Sequence, residues 1–145
     1  MFKTILVPTD GSPLSERAIH AAVQFAKETG ASLVGLSVAE PYPFTPLSGS
    51  TFSDERRLYE ERAQDIAQEH VRKIAAAAHV LDVPCKAVVS QSFSPSDEIV
   101  KTAEKMGCDV IFMASHGRKG LNRLFVGSET QKVLANTTIP VMVFR

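Results

Sequence analysis

Apolar positions along the chain fall into two rhythms. Five short runs, bounded by turn residues, read as strands: Lys3 to Thr9, Ala31 to Val38, Cys85 to Val89, Asp109 to Met113 and Val141 to Phe144. Between them, apolar residues recur every three or four positions, the spacing of one helix face. Ala18, Ile19, Ala22, Val23 and Ala26 mark a first helix, with Ser12 as N-cap, Pro13 in its first turn and Gly30 at its end. Tyr59, Ala63, Ile66, Ala67, Val71, Ile74, Ala75 and Ala78 mark a long one over Asp54 to Leu81. Ser94-Pro95-Ser96-Asp97 opens a third helix that Gly107 closes, and a fourth runs from Ser128 to about Asn136.

Strands alternating with helices predict a parallel, right-handed, three-layer α/β domain. The apolar content of strand two, Ala31 to Val38, suits burial on both faces, the habit of parallel sheets. If the chain winds outward from strand one through two to three and crosses back to lay strand four on the other side of strand one, the order is 3-2-1-4-5. Strands one and four then flank the switch point, where open α/β sheets bind ligands at the strands' carboxyl ends. Pro8-Thr9-Asp10 and Ala114-Ser115-His116-Gly117 fall there. Residues 41 to 53 hold three prolines and a glycine and read as a long loop, either a cover over a ligand or a surface excursion.

The stretch from Val110 to Thr130 draws the chemistry to one place. A strand empties into glycines at 117, 120 and 127 and restarts as a helix at Gly127-Ser128, with Glu129 in its first turn. Glycines let the main chain approach an anion, and the N–H groups of a helix's first turn point at it with the positive end of the dipole behind them. Arg118, Lys119 and Arg123 add positive charge, and positions 110 to 128 contain no acid. Asp10 has two readings, a cap on its own turn or a polar contact to a ligand or its cation. His116 is a loop histidine or a ligand contact, and Arg118 and Lys119 are phosphate partners or solvated loop charges.

Gly117, nine residues, then Gly127-Ser128 resembles the pattern of universal stress proteins that bind ATP, Gly-x2-Gly-x9-Gly-Ser/Thr, with Ala114 at the first glycine. Val-Pro-Thr-Asp-Gly-Ser at 7–12 and Ile-Pro-Val-Met-Val at 139–143 resemble that family too, so the similarity covers nearly the whole chain. The resemblance implies a Rossmann-like fold of the adenine nucleotide alpha hydrolase type. It implies ATP, or AMP or ADP, with Mg2+ carried on the phosphates. Adenine would lie near Val38, ribose near Pro8, Met113 and Ala114, and phosphates near Gly117, Arg118, Gly127 and Ser128. Thr9, Asp10, Ser115, His116 and Glu129 complete the expected site.

Composition narrows the classes. The length of 145 residues suits one domain over 1–145, and 16 basic against 16 acidic residues give no basis for a nucleic-acid or membrane-surface partner. Without a secretion-signal layout or an apolar run of ~18 residues, the expected location is the cytoplasm. Cys85 and Cys108 lack the spacing of a metal site or redox pair and read as unpaired thiols. Strand five, Val141 to Phe144, ends as an uncharged edge that invites a second copy, and the resemblance points to a homodimer as well. Three functions compete: a nucleotide-binding regulator, an interaction module with an empty pocket, and an enzyme. The last lacks a Walker sequence or any acid–His–nucleophile spacing, so hydrolysis is expected to be slow at most.

Overall fold

The computed structural model describes residues 1–44, 51–117 and 126–145. The expectations placed on Arg118, Lys119, Gly120 and Arg123, and on residues 45–50 of the long loop, lie outside the described residues. The elements alternate as β1 (Thr4–Pro8), α1 (Pro13–Thr29), β2 (Ser32–Ala39), α2 (Thr51–Val80), β3 (Cys85–Gln91), α3 (Pro95–Lys105), β4 (Val110–Ala114), α4 (Ser128–Asn136) and β5 (Val141–Phe144). All strands pair in parallel, in the order β3-β2-β1-β4-β5.

Strand alternation divides the core into two layers. Ile5, Val7, Leu33, Val110 and Phe112 face α1 and α2, where they meet Ile19, Val23, Ile74 and Ala78. Leu6, Val34, Leu36, Ile111 and Met113 face the other way, against Ile99 and Ala103 of α3 and Val133 of α4. Gly35 of β2 leaves room for α2: a Cβ there would stand 3.0 Å from the Ile74 side chain.

Three expectations are corrected. The loop ends sooner than residue 53, because α2 begins at Thr51 and carries Asp54 in its first turn, where a carboxylate meets the positive end of the helix dipole. Tyr59 and Ile66, placed on the core stripe by their spacing, are 37% and 51% exposed, because α2 first buries a side chain in the sheet layers at Ala67. Ser94 is the residue before α3 but makes no side-chain capping bond. Instead Glu129, from α4, accepts the Ser96 N–H at 2.9 Å.

Both cysteines are free. Burial, with help from the adjoining Asp109 charge, pushes the Cys108 thiol up to about 11. Among the described residues no helix is long and apolar enough to cross a membrane, and no group of three or more His, Cys, Asp or Glu side chains is placed to hold a metal ion.

Candidate functional site

The strand order puts the switch point between β1 and β4, and each strand turns into a helix there by a different device. The turn after β1 is closed by its own side chains. Thr9 Oγ1 accepts the Gly11 N–H at 3.1 Å, and Asp10 Oδ1 accepts the Ser12 N–H at 3.0 Å and the Ser15 hydroxyl at 2.7 Å. Ser12 Oγ in turn accepts the Ser15 N–H at 3.2 Å, so α1 starts from a cap with Pro13 in its first turn. Gly11, at φ 77°, takes the left-handed backbone that the turn requires.

The end of β4 is held from a distance. Ser115 donates its N–H to the Phe144 carbonyl at 2.7 Å, and its carbonyl accepts the Gly127 N–H, also at 2.7 Å. The buried Thr130 hydroxyl reaches back to the carbonyls of Ala114 and Ser115 at 3.0 and 3.2 Å. These bonds pin the first turn of α4 to the end of the strand, although residues 118–125 intervene in the chain. Ser115 Oγ and His116 Nδ1 lie 3.0 Å apart, which fixes the imidazole over the same corner.

The two turns touch. A Cβ added to Gly117 would run into the Asp10 carboxylate, and one added to Gly127 would lie 3.1 Å from the Ser115 carbonyl and 3.2 Å from His116 Cα. Neither glycine has a positive φ. They spare space: a Cβ at either position would make a neighbour shift where the two strand ends converge.

Several expected site residues share one face. Val38 and Met113 belong to the layer against α3 and α4, and alternation from Leu6 sets Pro8 on that side too. Ala114 follows Met113, so its methyl lies on the opposite face, with Val110 and Phe112. Thr9, Asp10, Ser115, His116, Gly117, Gly127 and Ser128 border the carboxyl end of β1 and β4. The Glu129 carboxylate accepts the Ser96 N–H and pairs with Lys132 Nζ at 3.1 Å. Arg118 is outside the described residues. A separate hollow of about 470 Å³ at the amino end of the sheet is lined by Thr4, Ser32, Cys85 and Met106 among others.

The model of the universal stress protein family matches residues 1–145. This chain belongs to the universal stress protein family. It is 33% identical to universal stress protein MJ0531 of Methanocaldococcus jannaschii over 100% of this chain and 83% of the relative. Among solved structures, universal stress protein UspA from Lactobacillus plantarum superposes with a TM-score of 0.76 at 26% identity, covering 99% of this chain and 97% of that one. Two more distant structures share the fold. One is a universal stress protein in complex with cAMP, at TM-score 0.69 and 20% identity, with 99% of this chain and 97% of that one covered. The other is the Archaeoglobus fulgidus protein in complex with dAMP, at 0.68 and 18%, covering 99% and 98%.

Sequence reasoning missed the roles of Thr130 and of the Ser115 carbonyl. A threonine in the first turn of a helix gives no sign of reaching the preceding strand unless the strand–helix approach is already known.

Proposed function

We propose that this universal stress protein binds an adenine nucleotide at the β1–β4 switch point and acts as a regulator whose partner affinity depends on occupancy. The observation that carries the reading is the convergence of Gly117 and Gly127 on Asp10, Ser115 and His116, beside a face formed by Pro8, Val38 and Met113. Bare main chain suits phosphates, and the apolar side chains suit a base and sugar. The cAMP and dAMP held by two proteins of this fold support the ligand class. Ala114 is compatible with it, since alternation turns its methyl away from that face. Phosphates would meet Gly117, Gly127 and the first-turn N–H groups of Ser128 and its successors, with Arg118 adding charge and Mg2+ riding on the phosphates. The reading also comprises one domain over 1–145, a cytoplasmic location, a homodimer through Val141–Phe144 and no turnover beyond slow ATP hydrolysis.

A second reading, an interaction module that holds no nucleotide, draws on a specific observation. The Gly127 N–H is already bonded to Ser115, and Asp10 Oδ1 is already engaged by its own turn. The decisive experiment is mass analysis of nucleotide released from the purified protein on denaturation, followed by calorimetric titration with ATP, ADP and AMP. Recovery or saturable binding of an adenine nucleotide is the expected result; no binding of any of the three leaves the interaction module. Sedimentation at micromolar concentration is expected to show a dimer, and a monomer would remove that part of the proposal.

A further inference from the structure

Among the described residues, Ser90 Oγ is the buried side-chain oxygen or nitrogen that has no hydrogen-bond partner. An unpaired hydroxyl inside a protein is unfavourable compared with a methyl, so its presence calls for a reason. Ser90 pairs in register with Val38 across β2 and β3. Val38 and Val88 both pack in the layer facing α3 and α4, so alternation along β3 sets the Ser90 side chain on that same face, next to Val38.

The strand order gives this position a meaning. Going across the sheet, β4 and the glycines come first, then β1 with Pro8, then β2 with Val38, then β3 with Ser90. A nucleotide with its phosphates at Gly117 and Gly127 and its sugar at Pro8 directs the base outward over β2. The edge of adenine that reaches furthest is the one opposite the glycosidic bond, which carries the 6-amino group. One further strand spacing, about 4.8 Å, separates β2 from β3. We propose that the Ser90 hydroxyl recognises this edge by accepting a hydrogen bond from the 6-amino group, which makes Ser90 a specificity-determining residue of the site; the inference rests on the nucleotide reading above.

The local geometry suits the role. Ser90 is half-buried as a residue although its Oγ is buried, so another staggered χ1 well swings the hydroxyl toward the open side. That turn costs no hydrogen bond, because the hydroxyl has none to leave behind. The neighbouring serines are tied down: Ser92 Oγ accepts the Ser94 N–H at 3.0 Å, and Ser94 Oγ and Ser96 Oγ lie 3.4 Å apart.

The test compares wild type, Ser90→Ala and Ser90→Thr, each titrated with ATP and with purine riboside triphosphate, which lacks the 6-amino group. Wild type is expected to prefer ATP. Ser90→Ala should weaken ATP roughly fivefold to tenfold, the worth of one net hydrogen bond, while changing the purine analogue less than about twofold. Ser90→Thr, which keeps the hydroxyl, should restore the preference. Without nucleotide, Ser90→Ala should melt at or above the wild-type temperature, since no partner is lost. If the alanine variant binds ATP as wild type does, the assignment of Ser90 fails and the nucleotide site stands. A fall of several degrees in its melting temperature, or failure to fold, marks a structural hydroxyl and overturns the assignment too. If wild type binds neither nucleotide, the site itself is refuted and this inference goes with it.

Discussion

The turns that follow β1 and β4 meet at one crevice yet are built on opposite plans. After β1, the side-chain bonds of Thr9, Asp10 Oδ1 and Ser12 run between residues two to five apart, while the Thr9 N–H rests on the Leu36 carbonyl of β2. After β4, among the described residues, long-range bonds come from α4 and from β5, with Thr130 reaching back 15 and 16 residues, beside the local Ser115–His116 pair. A turn closed by its own side chains is rigid and compact. A turn closed from outside takes its position from the elements that hold its ends. The crevice therefore has one wall shaped mainly by its own side chains, around Asp10, and one wall pinned mainly by α4 and β5.

The sharpest way to break this contrast is Gly127→Val. Its Cβ would already press on the Ser115 carbonyl and His116 Cα, and the branched methyls would threaten the bond that closes the β4 turn. A loss of about 2–3 kcal/mol is expected in urea unfolding, with nucleotide binding abolished in the fraction that stays folded. Wild-type stability in this variant would show that the second turn is not closed where we place it.

Contact between the two walls is tested by a double-mutant cycle on Asp10→Ala and Gly117→Ala. Each alone is expected to destabilise by about 1–2 kcal/mol, the first by freeing the Ser12 N–H and Ser15 hydroxyl, the second by pushing the carboxylate off those donors. Together they should cost about 1 kcal/mol less than the sum, since removing the carboxylate makes room for the new methyl. Strict additivity would mean that the turns do not touch.

Smaller effects separate the long-range device from the local one. Thr130→Val keeps the shape and removes the donor to Ala114 and Ser115; about 1–1.5 kcal/mol and faster amide exchange at the start of α4 are expected. Ser12→Ala should cost about 0.5–1 kcal/mol through lost capping, with its exchange changes confined to the first turn of α1 and ATP affinity nearly unchanged. If Ser12→Ala loosened α4 as much as Thr130→Val did, the contrast between the walls would be lost.

The same contrast explains what was legible in the sequence. Asp10-Gly11-Ser12-Pro13 announces its turn, its cap and the start of α1, because the groups that satisfy one another are neighbours in the chain. Strand order 3-2-1-4-5 was also readable, since alternation of strands and helices leaves few right-handed ways to wind a parallel sheet. Glu129 shows the limit. The family resemblance places it in the expected site, and its service to the Ser96 N–H emerges only from how α3 packs beside α4. Tyr59 and Ile66 obeyed the helical period and still face outward, because periodicity locates a stripe without saying how far along it the sheet extends. Gly117 and Gly127 are singled out by the sequence for phosphate approach; the structure adds that the missing Cβ of Gly117 leaves room for Asp10 of the first turn, and that of Gly127 for Ser115 and His116 at the end of β4.

The Ser115 N–H rests on the carbonyl of Phe144, so the corner of the crevice hangs from the last residue of the edge strand. That bond is a linkage in the thermodynamic sense. A second chain that shifts β5 on docking also shifts the loop at Ser115 and His116, and a ligand that stiffens the loop resists or assists the same movement. By reciprocity, whatever factor the docked chain applies to ligand affinity, the ligand applies to docking.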